Sequence, residues 1–220
     1  HEATEMDKKM AAIVDELIEA IGEVTVDSKE AIEAARNAFD ALTENQKVLV
    51  SYPGKLTAAE AAYNKLCASA VAGMIAAIGD ITMDKWDMIA EAQRAYDELT
   101  DDQKVLVNVY PVLQNAIATY QNLIVAQSVI EMIDAIGDVT LETGNSIKAA
   151  IYAYNNLTGA QQALVHNYDM LEAAASIYDS LSAIQQVIEM IDQIGTVSTA
   201  SGPQLEAARS AYNNLTPDEQ

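Results

Sequence analysis

Few side chains in this sequence have the chemistry that catalysis or zinc binding requires. The 220 residues include two histidines, His1 and His166, and one cysteine, Cys67. Catalysis needs a positioned base, nucleophile or metal, and a zinc site needs three or four ligands at short spacing. We therefore expect no catalytic residue, no cofactor and no metal site, with His166 as a surface polar residue. Cys67 has no partner for an intrachain disulfide and is expected to be an inert, half-buried thiol.

Acidic residues cluster at two places. Asp80, Asp84 and Asp87 flank one loop, and Asp101 and Asp102 form a pair. Carboxylates are the ligands that Ca²⁺ prefers, but the sequence lacks the Asp-x-Asp-x-Asp-Gly loop with its distal Glu. Helix amino termini favour acidic side chains. We expect these residues to lie in helix caps and first turns.

Trp86 is the only tryptophan, and Met83 and Met88 are close to it in the sequence. A large exposed aromatic side chain is a common anchor for a partner protein. The alternative is that Trp86 covers a loop of its own chain. Trp86, Met83 and Met88 form the candidate protein-binding site of this sequence.

The elements that must position these residues belong to a tandem repeat. A frame that opens with an Ile-Gly pair and closes with a Thr-x-x-Gln motif spans residues 21–46, 78–103 and 136–161, and it starts again at Ile194. Ile21 and Ile78 are 57 residues apart, and the later periods are 58 residues. Constant spacing over units of this length indicates a repeat array.

Each copy predicts a first helix with an apolar stripe and a second helix with a bundle seam. The stripe has 4-3 spacing and is followed by a glycine that suits a helix end with positive φ. The seam has 3-4-3 spacing with a small central Ala. The stripes are Val14, Ile18, Ile21; Val71, Ile75, Ile78; Val129, Ile133, Ile136; and Val187, Ile191, Ile194. The seams are Ile32, Ala35, Phe39, Leu42; Ile89, Ala92, Tyr96, Leu99; Ile147, Ala150, Tyr154, Leu157; and Leu205, Ala208, Tyr212, Leu215.

A third helical segment is predicted to start at each Thr-x-x-Gln motif, which is a capping box. It is interrupted near Tyr52-Pro53 and Tyr110-Pro111, because proline suits the first turn of a new helix. No breaker lies between Pro111 and Ile136, so the third helix of one copy is expected to continue into the first helix of the next. The tyrosines in the seam of the third helix are expected in the core. The seams are Leu56, Ala59, Tyr63, Leu66; Leu113, Ala116, Tyr120, Leu123; and Leu171, Ala174, Tyr178, Leu181.

The predicted fold is all-α: tandem three-helix-bundle repeats that share continuous helices in an elongated, spectrin-like rod. The predicted units are residues 1–66, 67–123, 124–181 and a partial repeat, 182–220, that lacks a third helix. We expect that partial repeat to fray, to associate weakly end to end, or to be completed by further sequence, since both ends look like boundaries of a piece cut from a longer chain. The shorter junction near Cys67 predicts a different twist between the first two units.

A formal net charge of −21 argues against nucleic acid or an anionic membrane as partner, because both are recognised through Lys and Arg. No uninterrupted apolar run reaches the roughly 18 residues of a membrane span, so no membrane insertion is expected. The first residues, His1-Glu-Ala-Thr, do not resemble a signal peptide, so we do not expect one in this stretch.

The recurring pattern resembles the tandem helical repeats, similar in type to FIVAR modules, of large secreted and surface-anchored proteins of Gram-positive gut bacteria. The likeness covers nearly the whole chain. The residues that carry it are Ile78, Gly79, Thr82, Tyr96, Leu99, Thr100, Gln103, Lys104, Leu106, Val107 and Tyr110. The resemblance implies an extracellular, non-catalytic array that spaces or displays other domains.

Two classes of function remain open. One is a stalk of a cell-surface or secreted protein; the other is an adhesin module that binds a host extracellular protein, such as an immunoglobulin-binding or superantigen-like module. A stalk predicts exposed faces that vary among copies, whereas a multivalent binder predicts a repeated exposed patch. Lys29, Trp86, Gly144 and Gly202 occupy one equivalent position, which favours the stalk, or a binder that uses only one unit, over a multivalent array.

Overall fold

The all-helical fold predicted from the sequence is confirmed. The computed structural model describes residues 4–220, of which about 75% are helical and none is in a strand. His1 lies outside the described residues. The α-helices are α1 (Glu5–Ile21), α2 (Lys29–Asp40), α3 (Glu44–Lys47), α4 (Pro53–Ile78), α5 (Trp86–Asp97), α6 (Asp101–Lys104), α7 (Tyr110–Asp134), α8 (Gly144–Asn155), α9 (Gly159–Gln162), α10 (Tyr168–Asp192) and α11 (Gly202–Asn213).

The predicted long helices are present and unbroken. Helix α4 has 26 residues, and α7 and α10 have 25 each. Each is preceded by a four-residue helix, α3, α6 or α9, and a short connection. The third copy has this break between Gln162 and Tyr168 although it has no proline there, so proline is not its cause.

The chain divides into two compact units, His1–Thr119 and Tyr120–Gln220. In the first unit, α1, α2 and α4 contribute to one apolar core that contains Val14, Ile18, Ile32, Ala35 and Leu56. In the second unit, the carboxyl-terminal half of α7, together with α8 and α10, forms a core of the same composition; it includes Val129, Ile133, Ile147, Ala150 and Leu171.

The seam tyrosines divide into three groups. Tyr120 is buried, Tyr212 is exposed, and the others are half-buried. Two of them also stack on a tyrosine near the start of a long helix: the ring centroids of Tyr96 and Tyr110 are 3.7 Å apart, and those of Tyr154 and Tyr168 are 3.9 Å apart. The rings of the two pairs are nearly parallel, with interplanar angles of 8° and 18°. The core position predicted for the seam tyrosines therefore holds for five of the six side chains and not for Tyr212.

The glycines predicted at the ends of the first helices all have positive φ: 61° at Gly22, 64° at Gly79, 60° at Gly137 and 56° at Gly195. The ψ values, −137° at Gly22 and −141° at Gly79, differ from those of the left-handed helix. They lie toward a region of backbone conformation that glycine occupies almost alone. A glycine suits each of these positions because a residue with a Cβ atom is disfavoured at positive φ.

Ser28 and Ser201 lie directly before helices α2 and α11. Ser28 Oγ accepts a hydrogen bond from the Thr25 amide at 2.9 Å, and Ser201 Oγ accepts one from the Ser198 amide at 3.0 Å. These hydroxyls reach back to the preceding turn and make no capping bond to their own helix. In the first three copies that turn is a 3-10 helix, at Val26–Ser28, Met83–Lys85 and Leu141–Thr143.

The predicted capping boxes are confirmed, and each contains a further bond. The side-chain carbonyl of Gln46, Gln103 or Gln161 accepts from the box threonine amide at 2.9–3.1 Å. The same side chain then donates from its amide nitrogen to a polar residue 39 positions earlier. These second bonds are Gln46 Nε2 to Asp7 Oδ1 at 3.0 Å, Gln103 Nε2 to Asn64 Oδ1 at 3.1 Å, and Gln161 Nε2 to Asn122 Oδ1 at 3.0 Å.

The fourth copy reproduces this arrangement with different groups. Glu219 accepts from the Thr216 amide at 2.8 Å. Hydrogen bonds from Ser180, and then from Thr216, lower the pKa of Glu219, and Ser180 is again 39 positions earlier. We call these four contacts the box ties.

The connection into the long helix is anchored differently in the first and third copies. In the first, the Asp15 carboxylate of α1 accepts from the backbone amides of Ser51 and Tyr52 at 2.9–3.2 Å. In the third, the buried Asn167 side chain donates to the Ile130 carbonyl at 3.1 Å and to Asp134 Oδ1 at 2.8 Å. The roles of side chain and backbone are therefore exchanged between the two copies.

We expect Gly79→Ala to destabilise the protein by about 1–3 kcal/mol, because the positive φ at this position is unfavourable for alanine. No atom lies within 4 Å of the added Cβ, so the cost is one of backbone conformation. Gly73→Ala is the control: Gly73 lies inside α4 with the same open surroundings, and the change should stabilise by about 1 kcal/mol. Urea denaturation followed by circular dichroism measures both; equal effects would contradict the backbone explanation.

We expect Gln46→Glu to destabilise the first copy at neutral pH, because it replaces the donor to Asp7 with a second carboxylate. Hydrogen bonds from Thr4, and then from Gln46, lower the pKa of Asp7 in the native chain. In the variant, repulsion between like charges raises the carboxyl pKa values, so the destabilisation should shrink as the pH falls toward about 4.

Asp7→Asn in the same variant supplies a donor to the introduced carboxylate and should restore most of the lost stability. The measurement is a double-mutant cycle of unfolding free energies at two pH values. Additive effects of the two changes would show that this box tie does not couple the two helices.

Candidate functional site

Trp86 is the first residue of α5, and it follows the 3-10 turn Met83–Lys85. Its side chain is 45% exposed, as is that of Met83, and Met88 is 38% exposed. Trp86 lines one wall of an open groove of about 580 Å³, whose floor is formed by the buried Ile89 together with Ile117. The structure thus places Trp86 on a concave apolar surface.

Met83 and Met88 do not line this groove. Positions 86 and 88 are two apart on α5, which separates their side chains by about 200° around the helix axis. Lys85 Nζ lies 3.9 Å from Met88 Sδ. The three predicted residues are all exposed, but the groove includes only Trp86.

Charged and amide side chains form a polar rim of the groove. Arg94 donates to both carboxylate oxygens of Glu91 at 2.6 and 2.7 Å and lies 3.9 Å from Glu98, and Gln93 Nε2 donates to Asp97 Oδ1 at 2.8 Å. Glu91, and then Glu98, raise the pKa of Arg94. These groups are bonded along their own helix, so they provide a polar rim around an apolar floor, which is an arrangement common in protein interfaces.

The other residues considered for chemistry lie apart from this groove. His166 is exposed in the connection between α9 and α10, as predicted. Cys67 is half-buried in α4; burial, and then a hydrogen bond with Cys67, raise the pKa of Tyr63 to about 12. Thr82 Oγ1 donates to Asp84 at 2.5 Å, and this bond lowers the pKa of Asp84. Asp84 thus supports the turn that precedes Trp86.

Within residues 4–220, no three His, Cys, Asp or Glu side chains are close enough to hold a metal ion. One of the described helices, α4, is long and apolar enough by length and composition to cross a membrane. Core helices of globular proteins meet the same criterion, and Leu56 and Ala59 of α4 lie in the core of the first unit.

The groove and the box ties were not predicted from the sequence. The groove forms where Ile117 of α7 lies beside α5. No local sequence pattern indicates which residues of another helix lie there. The box ties do have a signal: Asp7, Asn64, Asn122 and Ser180 each lie seven residues before the stripe valine of their copy. A polar residue at that constant position in four copies marks a recurring contact of the repeat.

A comparison with family models finds no match. Searches of curated proteins and of solved structures find no similar chain. The site therefore has to be interpreted from its own residues.

Proposed function

We propose that this chain is a non-catalytic helical repeat segment of a bacterial cell-surface or secreted protein, where it acts as a stalk that spaces and displays other domains. The resemblance to surface-protein repeats motivates this proposal. The observation that carries it is the set of box ties, in which the recurring polar side chains bond to their own chain. Side chains that recur in all copies therefore serve the internal structure.

Two positions that are exposed or half-buried in most copies support the same proposal; Gly144, at the position of Trp86 in the third copy, is buried. The position of Trp86 is Lys29 in the first copy and glycine in the third and fourth, and the position of Arg36 is Gln93, Ile151 and Arg209 in the others. A surface used by every copy for one ligand would keep its side chains. Variation at these positions fits a segment whose length and stiffness matter more than its surface.

We also propose the finer architecture predicted from the sequence, with three-helix units at residues 1–66, 67–123 and 124–181 and a partial unit at 182–220. The two apolar cores support it, because one combines residues of α1, α2 and α4 and the other combines residues of α7, α8 and α10. Long helices shared between neighbouring units would make the segment stiff. In this arrangement each unit adds roughly 20 Å of length.

Small-angle X-ray scattering of the chain tests this architecture. A rod of tandem units should give an elongated distance distribution and a radius of gyration well above the roughly 17 Å of a compact 220-residue domain. Ala126→Pro interrupts α7 at a buried position and should shorten the largest dimension, because proline kinks or breaks a helix interior. A compact profile of the unaltered chain would contradict the rod.

The exposed Trp86 supports a second candidate function, binding of a host extracellular protein such as an immunoglobulin. Trp86 combines substantial exposure with a position on an apolar groove, and buried tryptophans are frequent hot spots of interfaces. This function would use one copy, since the equivalent residues elsewhere are lysine or glycine. The negative charge makes nucleic acid an unsuitable partner for either function.

A pull-down from host serum and mucus separates the two functions. The stalk predicts that the immobilised chain retains no specific protein. Binding through the groove predicts a protein that is retained by the native chain and lost with Trp86→Lys, a change that introduces the residue type of Lys29 in the first copy. Tyr152→Ala removes another exposed aromatic side chain and should leave such binding intact. Retention that both variants preserve would exclude Trp86 as the anchor.

A further inference from the structure

The groove beside Trp86 has a counterpart in the first copy of the repeat. This counterpart, of about 400 Å³, is lined by α2, α4 and the capping box at Thr100. Both grooves lie within the first compact unit. Four positions line both of them: Lys29, Glu33, Arg36 and Glu60 in the first copy, and Trp86, Ala90, Gln93 and Ile117 in the second, 57 residues later. The two grooves can therefore be compared position by position.

All four positions carry charged side chains in the first copy. Arg36 Nε and Nη2 donate to the two oxygens of Glu60 at 2.6 and 2.7 Å, and Arg36 Nη1 lies 3.5 Å from Asp40 Oδ1. Lys29 Nζ lies 3.9 Å from Glu33 Oε1. Each charged side chain at these positions therefore has a partner of opposite charge within its own copy, and Arg36 is shared by two carboxylates.

The second copy carries no charge at the same four positions, but it keeps one carboxylate that Arg36 contacts in the first copy. Asp97 occupies the position of Asp40 and is exposed. Gln93, which replaces Arg36, donates to Asp97 Oδ1 at 2.8 Å, and Lys104 donates to the main-chain carbonyl of Asp97 at 3.2 Å. Among the residues that the structure describes, no cationic group lies within 4.0 Å of the Asp97 carboxylate. The second copy thus retains the acceptor without the cation.

The surroundings of Asp97 combine apolar surface with negative charge. Ala90 and Ile117 are half-buried in the groove. Trp86 and Asp97 are eleven positions apart on α5, which is about 16 Å along the helix axis. Residues 84–104 include seven acidic side chains and three basic ones, and an excess of one charge attracts ligands of the other. The groove therefore fits a segment that is apolar at one end and cationic at the other.

We propose that the groove along α5 binds a segment of a basic protein, in which one arginine takes the place that Arg36 has in the first copy. Its guanidinium pairs with the Asp97 carboxylate, and its aliphatic stem lies on Ala90 and Ile117. A neighbouring apolar side chain of the segment contacts Trp86. Arginine suits this position because its stem packs on apolar surface while its planar head group bonds a carboxylate.

Binding of this kind depends on the second candidate function, in which Trp86 contacts a protein, and it specifies the charge of that protein. A second copy of this chain is a poor occupant, because two chains of net charge −21 repel each other. In the first copy the equivalent carboxylate, that of Asp40, already has Arg36 as its partner. The same segment should therefore bind the second copy and not the first.

The test selects peptides on the full chain. A random dodecapeptide library displayed on phage is selected on the immobilised native chain and counter-selected on Trp86→Lys. We expect enrichment of peptides that contain an arginine together with an aromatic or aliphatic residue. Fluorescence anisotropy then measures the affinity of the selected peptides. Replacing their arginine by alanine should weaken binding by about tenfold, since a charge-assisted pair is lost.

A charge change at Asp97 tests the assigned carboxylate. Asp97→Arg should weaken binding of a selected arginine peptide by about tenfold or more, and it should bind more tightly a version of that peptide with glutamate in place of the arginine. Asp40→Arg makes the same change at the equivalent position of the first copy and should leave both affinities unchanged. If circular dichroism shows that Asp97→Arg loses helix, Asp97→Asn, which removes only the charge, carries the test.

The possible results distinguish a failure of this proposal from a failure of protein binding at Trp86. Peptides that depend on Trp86 but contain no arginine would overturn the proposal and leave the second candidate function standing. If no peptide distinguishes the native chain from Trp86→Lys, both are overturned. Equal affinities of the native chain and Asp97→Arg, or equal weakening by Asp97→Arg and Asp40→Arg, would overturn the pairing with Asp97, since the attraction would then be one to the overall negative charge.

Discussion

The architecture depends on one side chain per copy, the last residue of the capping box, which forms hydrogen bonds to two separate parts of the chain. In the first three copies, the Gln of the capping box closes the box with its carbonyl oxygen and bonds to a preceding helix, α1, α4 or α7, with its amide nitrogen. Since a four-residue helix has almost no stability of its own, this double use gives the segments α3, α6 and α9 a fixed place. In the third copy the break before the long helix forms without proline, so proline is not required for it.

The helices, glycines and capping boxes could be predicted because each has a local sequence signal. A stripe at 4-3 spacing, an Ile-Gly pair and a Thr-x-x-Gln motif act over a few residues, and the structure contains all three in repeated order. The direction of the Ser28 bond was not predictable in this way, because a serine at a helix start can satisfy either the helix or the turn before it. That choice depends on the 3-10 geometry of the preceding residues.

Contacts over longer sequence distances were not apparent from any single copy. The box ties join residues 39 positions apart, and they become visible only when four copies are compared at one position. The surroundings of Trp86 show the same limit: its exposure follows from a local mismatch with the other copies, but the groove beside it requires Ile117 from another helix. The sequence thus indicated Trp86 as a candidate, but it did not indicate the groove that Trp86 lines.

The exchanged roles of Asp15 and Asn167 have a consequence for how such genes change. Tandem repeats expand and contract when homologous segments of DNA recombine out of register. A recombinant that joined the α7 type of helix, with Ile130 where α1 has Asp15, to the connection containing Ser51 would leave two backbone amides without their carboxylate acceptor. Because these bonds lie at exposed positions, water can replace the carboxylate, so such a recombinant loses an anchor of the connection without leaving a buried amide unpaired.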